Sequence, residues 1–111
     1  MKKSLRYVSM VLLEAQPAWL ALDRKTRNEI MTPLRTILSK YPDVSVRWLD
    51  SDAIGHGYTD IALCEYNDIE KYHFLWEELR DTIVFGHPYF LLKDTLFGIE
   101  DAYVAFENSK N

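Results

Sequence analysis

The chain has 111 residues, 48% of them hydrophobic and 27% charged, so we expect a single folded domain over residues 1–111 rather than a disordered chain. The net charge of −4 and a first apolar stretch too short to span a bilayer argue against nucleic-acid binding and a membrane protein. The single cysteine excludes a disulfide framework and favours a cytoplasmic location.

The first predicted element is a β-strand over residues 5–14, and both of its faces are apolar. The alternating side chains are Tyr7, Val11 and Leu13 on one face and Val8, Met10 and Leu12 on the other. Two apolar faces are typical of a central strand in a sheet that is covered on both sides.

A helix is predicted next, from about residue 23 to 40, after a short helical turn that begins at Pro17. Its apolar side chains recur at the spacing that packs one helix face on a sheet: Ile30, Leu34, Ile37, Leu38 and Tyr41. Because Pro33 lies inside this helix, we expect either a kink or a restart with Thr32 as the cap. The basic side chains of the first turns are interpreted as a solvated face; they are Arg24, Lys25 and Arg27.

Two further strands are predicted over residues 44–50 and 58–66, and a seven-residue loop joins them as a hairpin. The register of this hairpin decides which side chain neighbours Asp60. A simple pairing places Trp48 beside it, whereas one β-bulge places Arg47 there, because a slip of one residue exchanges the two faces of a strand. The sequence leaves both registers open.

Asn67 is predicted to cap the second helix and can form a capping box with Glu70 three residues later. An exit loop over residues 85–88 then leads to a fourth strand over residues 89–96. The tail over residues 98–106 alternates weakly and is expected to form a short edge strand or an arm.

The order strand, helix, strand, strand, helix, strand predicts an α+β fold of the ferredoxin-like βαββαβ type. This fold has a four-stranded antiparallel sheet with two helices on one face. The other face is expected to carry Tyr7, Tyr58 and Tyr66 beside several aliphatic side chains, and such a face needs a cover. A second copy of the same sheet is the economical cover, so we predict a C2 homodimer that pairs the open sheet faces.

Six stretches spread over nearly the whole chain carry a family resemblance: residues 17–22, 41–42, 60–65, 79–82, 85–90 and 98–103. In these stretches the sequence resembles the darcynin family of small bacterial proteins. The resemblance implies a dimeric α+β barrel, in agreement with the fold predicted from the pattern. It implies no particular activity or catalytic residue, because dimeric α+β barrels include cofactor-free monooxygenases, isomerase-like enzymes, haem-binding branches and binding modules.

Candidate site residues are chosen for a cavity between the sheet and the helices. The candidate catalytic bases are His87, at the entry to the last strand, and His56, between two glycines of the hairpin loop. The candidate ligand-binding residues are Tyr7, Arg47, Tyr58 and Asp60. Charged side chains are unusual within strands, so Arg47 and Asp60 form either a polar pair that orients a substrate oxygen or a structural ion pair.

The sequence predicts no metal site and no cofactor. Histidines four residues apart and Cys-x-x-Cys are both absent from it. Haem would need a histidine aimed into an apolar pocket, and His73 serves this purpose only if the second helix is rotated from its predicted orientation.

The leading hypothesis is a homodimer that binds a small organic molecule, with cofactor-free monooxygenase- or isomerase-like chemistry as the activity to test. One alternative is a non-catalytic dimer whose charged residues only fix the subunit register. Another is an accessory protein that binds a further chain through residues 100–106. A cavity reached by at least two of the six candidate side chains favours a ligand site, and one filled by side chains favours the structural alternative.

Overall fold

The computed structural model describes residues 5–51, 54 and 56–110. Its elements in chain order are β1 (Arg6–Ala15), α1 (Pro17–Leu20), α2 (Arg24–Ser39), β2 (Ser45–Asp50), β3 (Asp60–Tyr66), α3 (Ile69–Arg80), α4 (Ile83–Gly86), β4 (Phe90–Glu100) and α5 (Ala102–Asn108). The strands form an antiparallel sheet in the order β2-β3-β1-β4, and α2 and α3 pack on one of its faces. The predicted ferredoxin-like α+β fold is confirmed. Among the described residues, no helix has the length and apolar character needed to cross a membrane.

The core is the layer between the sheet and these two helices. β1 buries every second side chain from Ser9 to Leu13, and β3 buries alternate side chains from Ala62 to Tyr66. One helical face supplies the opposite wall, with Leu34 from α2 and leucines from α3. The alternate buried side chains of the strands and the apolar stripe of each helix therefore meet in one buried layer.

Two of the three tyrosines predicted for the open face, Tyr66 and Tyr7, lie on the core side of the sheet instead. Tyr66 is 1% exposed and stacks on Tyr72 of α3, with the ring centroids 4.1 Å apart. Tyr7 pairs with Tyr66 in the β1–β3 register and therefore lies on the same face. The prediction of an aromatic open face was wrong, because Tyr66 shares its face with the buried Cys64 and Ala62.

The open face of the sheet is aliphatic rather than aromatic. Its apolar side chains alternate with the core positions; they include Val8, Met10, Leu12, Leu49, Ile61 and Leu63. None of these side chains belongs to the buried core cluster. The face is therefore a continuous apolar surface without a cover from the described part of the chain.

Helix α2 runs through Pro33 without a restart. Asp23 caps the helix, since its Oδ1 accepts a hydrogen bond of 2.8 Å from the backbone N–H of Thr26. The Thr32 hydroxyl donates to the carbonyl of Asn28 one turn earlier and does not act as a cap. Of the two alternatives expected at Pro33, the restart at Thr32 is therefore excluded, and the helix contains an exposed proline in its middle.

Helix α3 begins one residue later than predicted. Asp68 is its cap, and its Oδ1 accepts hydrogen bonds from the backbone N–H groups of Glu70 and Lys71 at 3.0 and 3.2 Å. Asn67 instead donates to the carbonyl of Leu5 at 2.8 Å, which ties the end of β3 to the chain before β1. The predicted capping box fails because the Asn67 Oδ1 that would cap the helix instead accepts a hydrogen bond of 3.0 Å from Arg6 Nη1.

Strand β4 is longer than predicted and ends in a helix. It continues to Glu100, and α5 follows after Asp101, whose φ of 48° is left-handed. A β-bulge interrupts its pairing with β1, because Leu12 pairs with Asp94 and Leu13 pairs with Leu92, which leaves Lys93 as an extra residue.

The end of β4 and α5 give the molecule an elongated shape. Every residue of β4 after Phe90 is exposed. These residues include Leu96 and Phe97, whose side chains lie on opposite faces of the strand. The radius of gyration is 16.3 Å, with extents of 58 × 31 × 18 Å, whereas a compact chain of this length has a radius of gyration of about 13 Å. The chain thus presents more apolar surface than a compact monomer of its length.

Candidate functional site: a cleft between α2 and the β2–β3 strands

An apolar chamber of about 200 Å³ lies between the two long helices and the helix-covered face of β2 and β3. Its walls are Met31, Leu34, Arg35, Leu38, Val46, Trp48, Ala62, Trp76, Leu79 and Phe85. Arg35 is the only charged side chain among these. A dry apolar cavity of about 150 Å³ admits benzene, so this chamber has room for one substituted ring.

A second, polar space of about 260 Å³ adjoins the chamber, and we call it the mouth. Met31 and Trp48 line both spaces. The other side chains of the mouth are Trp19, Arg24, Arg27, Asn28, Asp50, Asp60 and Phe90. Chamber and mouth together form a cleft that is apolar at one end and charged at the other.

The helical wall of the cleft is one stripe along α2. Arg24, Arg27, Asn28 and Met31 follow the spacing i, i+3, i+4, i+7, which places them on one face of a helix. The stripe turns apolar further along, at Leu34. The interpretation of the basic run as a solvated face was therefore incomplete, because two of its three side chains line the mouth.

The two arginines of the mouth differ in how they are held. Arg27 donates from Nε to the Trp19 carbonyl at 3.2 Å and from Nη2 to the Leu20 carbonyl at 2.9 Å, and its guanidinium lies 5.8 Å from the centre of a Trp19 ring. Arg24 is exposed and makes no side-chain hydrogen bond with the described residues. Arg27 is thus a fixed positive charge, whereas the Arg24 side chain is able to move toward a ligand.

The sheet wall of the mouth carries two carboxylates that lie directly opposite each other. Asp50 of β2 pairs with Asp60 of β3 in the strand register. Asp60 accepts a hydrogen bond of 2.7 Å from Trp48 Nε1 and another of 2.7 Å from the Thr59 hydroxyl. No ion pair within the described ranges reaches either carboxylate. Directly opposed like charges destabilise a strand pair, and the two hydrogen bonds to Asp60 come from neutral donors.

The observed register decides between the two neighbours considered for Asp60. Trp48 shares its face and donates the indole hydrogen bond. Arg47 points to the open face, where its Nη2 lies 3.2 Å from Oε1 of Glu65. Asp60 and Arg47 therefore form no polar pair, and Arg47 has a different carboxylate partner.

Of the six candidate side chains, Asp60 alone lines the cleft. Tyr7 stacks on Phe97 with ring centroids 6.0 Å apart, on the β4 side of the core. Arg47 lies on the opposite face of the sheet. The cavity is thus reached by one candidate rather than two, and the side chains that line it are mostly ones that the sequence did not single out.

The two candidate bases also lie outside the cleft. His87 follows α4 and stacks on Tyr89, with ring centroids 4.3 Å apart, and it is exposed. His56 is exposed in the hairpin loop, and Tyr58 is partly exposed at the end of that loop. The structure does not bring these residues together, and a catalytic role for either histidine stays a prediction.

The core beside the chamber holds weakly acidic groups that remain protonated. Burial raises the pKa of the Cys64 thiol to about 12 and the pKa of the Tyr72 hydroxyl to about 12. Trp76 Nε1 is buried and has no hydrogen-bond partner among the described residues. A thiol with a raised pKa is a poor nucleophile, so Cys64 is a packing residue.

The side chains of the chamber do not fit a haem group, although the resemblance included haem-binding branches. Haem iron is held by an axial His, Cys or Tyr, or by Met together with His. The chamber contains Met31 but no His, Cys or Tyr. His73 points away from it, with a side chain 68% exposed and Nε2 3.4 Å from Glu77 Oε1. Across residues 5–51, 54 and 56–110, no group of three His, Cys, Asp or Glu side chains is placed to hold a metal ion.

Fold and cleft together define a ferredoxin-like α+β protein of the dimeric α+β barrel class. Residues 5–109 match the family model described as darcynin, a domain of unknown function. The chain is 37% identical over 90 residues to Darcynin 1 of Acinetobacter baumannii, covering 80% of this chain and 100% of that protein. It is 30% identical over 70 residues to Darcynin of Chromobacterium violaceum, covering 63% of this chain and 89% of the relative. The chain belongs to the darcynin family.

Solved structures with the same fold include chlorite dismutases. A putative chlorite dismutase matches with a TM-score of 0.77 and 25% identity, over 96% of this chain and 50% of that one. The chlorite dismutase of Candidatus Nitrospira defluvii in complex with imidazole matches with a TM-score of 0.79 and 21% identity, over 100% of this chain and 47% of that one. This chain therefore spans about half the length of the solved chains that it matches, and the likeness shows the fold.

Proposed function

We propose that this protein is a homodimeric small-molecule-binding protein whose ligand occupies the cleft between α2 and the β2–β3 strands. The observation that carries the proposal is the apolar chamber of about 200 Å³, walled by Trp48, Trp76 and Phe85 and adjoined by a charged mouth. An apolar pocket with a few polar groups at one end is the usual form of a site for a small organic molecule.

Binding rather than catalysis is the proposed activity. His87 and His56 lie outside the cleft, and both carboxylate oxygens of Asp60 already accept hydrogen bonds. Monooxygenase- or isomerase-like chemistry at this site would need a base that reaches the bound molecule. Asp50, which has no hydrogen-bond partner among the described residues, is the one carboxylate of the mouth left for that task.

The dimer is proposed to form through the open sheet face. Its support is the uncovered aliphatic surface around Met10 and Leu63, together with a radius of gyration above that of a compact monomer. The chlorite dismutase chains are about twice as long as this one, so each has room for two units of this size. A cytoplasmic location is part of the same proposal and is supported by the unpaired Cys64.

The binding proposal is tested by titrating the protein with toluene, a ring without a charged group, and following tryptophan fluorescence. We expect saturable binding, because Trp48 and Trp76 form part of the chamber wall. Val46→Met places a larger side chain in the chamber, so that toluene and the methionine compete for the same space. Because overfilling a packed site costs about 1–3 kcal/mol, toluene should bind at least tenfold more weakly to this variant. Val104→Met in α5, outside the cleft, is the matched control and should bind as the wild type does.

Two results would count against a ligand site. If the wild-type protein shows no saturable response to toluene, the chamber does not admit a ring. This result would favour the alternative of a non-catalytic dimer without a ligand site. The same conclusion follows if Val46→Met and Val104→Met bind toluene equally well. The melting temperature of each variant, measured alongside, separates a blocked chamber from a misfolded protein.

A further inference from the structure

The mouth of the cleft has two walls of opposite charge that do not touch. Arg24 and Arg27 come from α2, whereas Asp50 and Asp60 come from the sheet. Each of the four side chains lines the same space of about 260 Å³, yet no pair of them comes within ion-pair distance. A gap of this kind has room for a polar group that contacts both walls at once.

The sheet wall has its own reason to bind a positive charge. Asp50 and Asp60 are direct register partners, and their side chains point to the same side of the sheet. The hydrogen bonds to Asp60 come from Trp48 and Thr59, which are neutral donors and leave both negative charges in place. A cation between the two carboxylates would relieve the repulsion that the strand pairing imposes.

The helix wall carries two positive charges, Arg24 and Arg27, that can bind a negatively charged group. The Arg27 guanidinium is fixed by two neutral backbone carbonyls. The Asp23 carboxylate at the start of α2 attracts it electrostatically without forming an ion pair with it. Arg24 sits one helical turn earlier on the same stripe and is able to close over a bound anion. An anionic group between these two arginines would neutralise the helix wall.

Building on the proposed function, we propose that the ligand is a zwitterionic amino acid with an aromatic or branched apolar side chain. Its carboxylate faces Arg24 and Arg27, its ammonium faces Asp50 and Asp60, and its side chain passes Met31 and Trp48 into the chamber. Two positive and two negative side chains give the mouth no net charge. A ligand with both charges satisfies both walls, whereas a ligand with one charge leaves the opposite wall without an ionic partner.

Four probes with the same ring separate the contributions: L-phenylalanine, 3-phenylpropionate, 2-phenylethylamine and toluene. The first carries both charges, the next two carry one each, and toluene carries none. Isothermal titration calorimetry at low ionic strength should show L-phenylalanine binding about tenfold more tightly than either singly charged probe, because each charged hydrogen bond adds affinity.

Two substitutions assign the charges to their walls. Asp50→Asn should weaken L-phenylalanine and 2-phenylethylamine about tenfold and leave 3-phenylpropionate unchanged. Arg24→Gln should weaken L-phenylalanine and 3-phenylpropionate and leave 2-phenylethylamine unchanged. Asp94→Asn and Arg80→Gln, which lie outside the cleft, are the matched controls and should change no affinity.

The outcomes distinguish this inference from the proposed function. If toluene binds in the chamber but L-phenylalanine binds no more tightly than a singly charged probe, the ligand class is wrong and the cleft remains a ligand site. If toluene itself does not bind in the chamber, the proposed function fails. Asp50→Asn also removes a repulsion within the sheet, so a loss of binding in this variant together with equal or higher stability cannot be attributed to unfolding.

Discussion

The hydroxyl groups of Ser9 and Tyr66 lie 2.7 Å apart in the buried layer between helices and sheet. Both residues are 1% exposed, so neither hydroxyl has access to water as a substitute partner. Ser9→Ala is expected to lower the free energy of unfolding by about 1–3 kcal/mol, because it leaves the Tyr66 hydroxyl buried without its partner. Urea unfolding followed by circular dichroism measures the change.

A double-mutant cycle isolates this hydrogen bond from the loss of packing. Once Tyr66→Phe has removed the stranded hydroxyl, the Ser9→Ala change should cost less than it does in the wild type. If the two single changes add without coupling, the Tyr66 hydroxyl finds another partner in the core, and the importance assigned to Ser9 is wrong.

Stability is expected to fall as the pH rises above about 9. The pKa of Cys64 is near 9.0 in the unfolded chain and about 12 in the folded protein, because burial disfavours the thiolate. Between these values the unfolded state binds fewer protons than the folded state, so raising the pH favours unfolding. From pH 8 to pH 10 the wild type should lose about 1 kcal/mol more stability than Cys64→Ala. An equal loss in both proteins would show that the thiol ionises in the folded state as it does in the unfolded chain.

The oligomeric state is expected to depend on the aliphatic face of the sheet. Leu63→Glu places a charge in the centre of this face, opposite Met10 in the strand register, and should convert a dimer into a monomer. Leu20→Glu introduces the same charge on α1, where the leucine is already 60% exposed, and should leave the dimer intact. Size-exclusion chromatography with light scattering at micromolar concentration distinguishes the two. A wild-type protein that elutes as a clean monomer would refute sheet-to-sheet dimerisation.

The opposed carboxylates of the mouth predict a stabilising substitution. Asp50→Asn should raise the free energy of unfolding by about 0.5 kcal/mol at low ionic strength, because it removes a like-charge pair across two strands. Asp60→Asn should gain less, since it also weakens the hydrogen bonds from Trp48 and Thr59. Thermal melts at low and high salt provide the check, since screening should abolish the gain. A gain that is independent of salt would point to a cause other than repulsion.

The fold was predictable from the sequence because periodicity is a local signal. The alternation in residues 5–14 and the helical stripe around Leu34 each fix which side of an element is buried, and six such elements in this order specify a ferredoxin-like sheet. The errors arose where a long-range contact replaced a local one. Asn67 has a good capping sequence, but its amide is bonded to Leu5, 62 residues away along the chain.

The error about the open face of the sheet arose from the side on which the helices were expected to lie. Tyr58 and Tyr66 belong to one alternation, but the sequence of β3 does not state which side the helices cover. The structure places Cys64 and Tyr66 inside, so the open face receives Ile61 and Leu63 instead. The alternation within β3 was predicted correctly and the simple register of the hairpin is the observed one, so the error lies only in the side that the helices cover.

The candidate site was predictable only in part. Asp60 was found because a charged side chain within a strand is unusual, whereas its partners in the mouth look ordinary in the sequence. Arg24 and Arg27 resemble any solvated helix face until their spacing to Met31 is compared with the apolar stripe that follows. Asp50 had a signal too, since it continues the alternation of Val46 and Trp48 into the mouth.

The bulge at Lys93 determines how strand β4 can change its length during evolution. Because Lys93 is an extra residue between the pairs Leu13–Leu92 and Leu12–Asp94, its deletion would leave every later side chain of β4 on its present side of the sheet. A deletion between residues 94 and 100 would instead move Phe97 or Ile99 to the opposite side. Among relatives of this chain, single-residue gaps in the last strand should therefore be tolerated at position 93 and selected against beyond it.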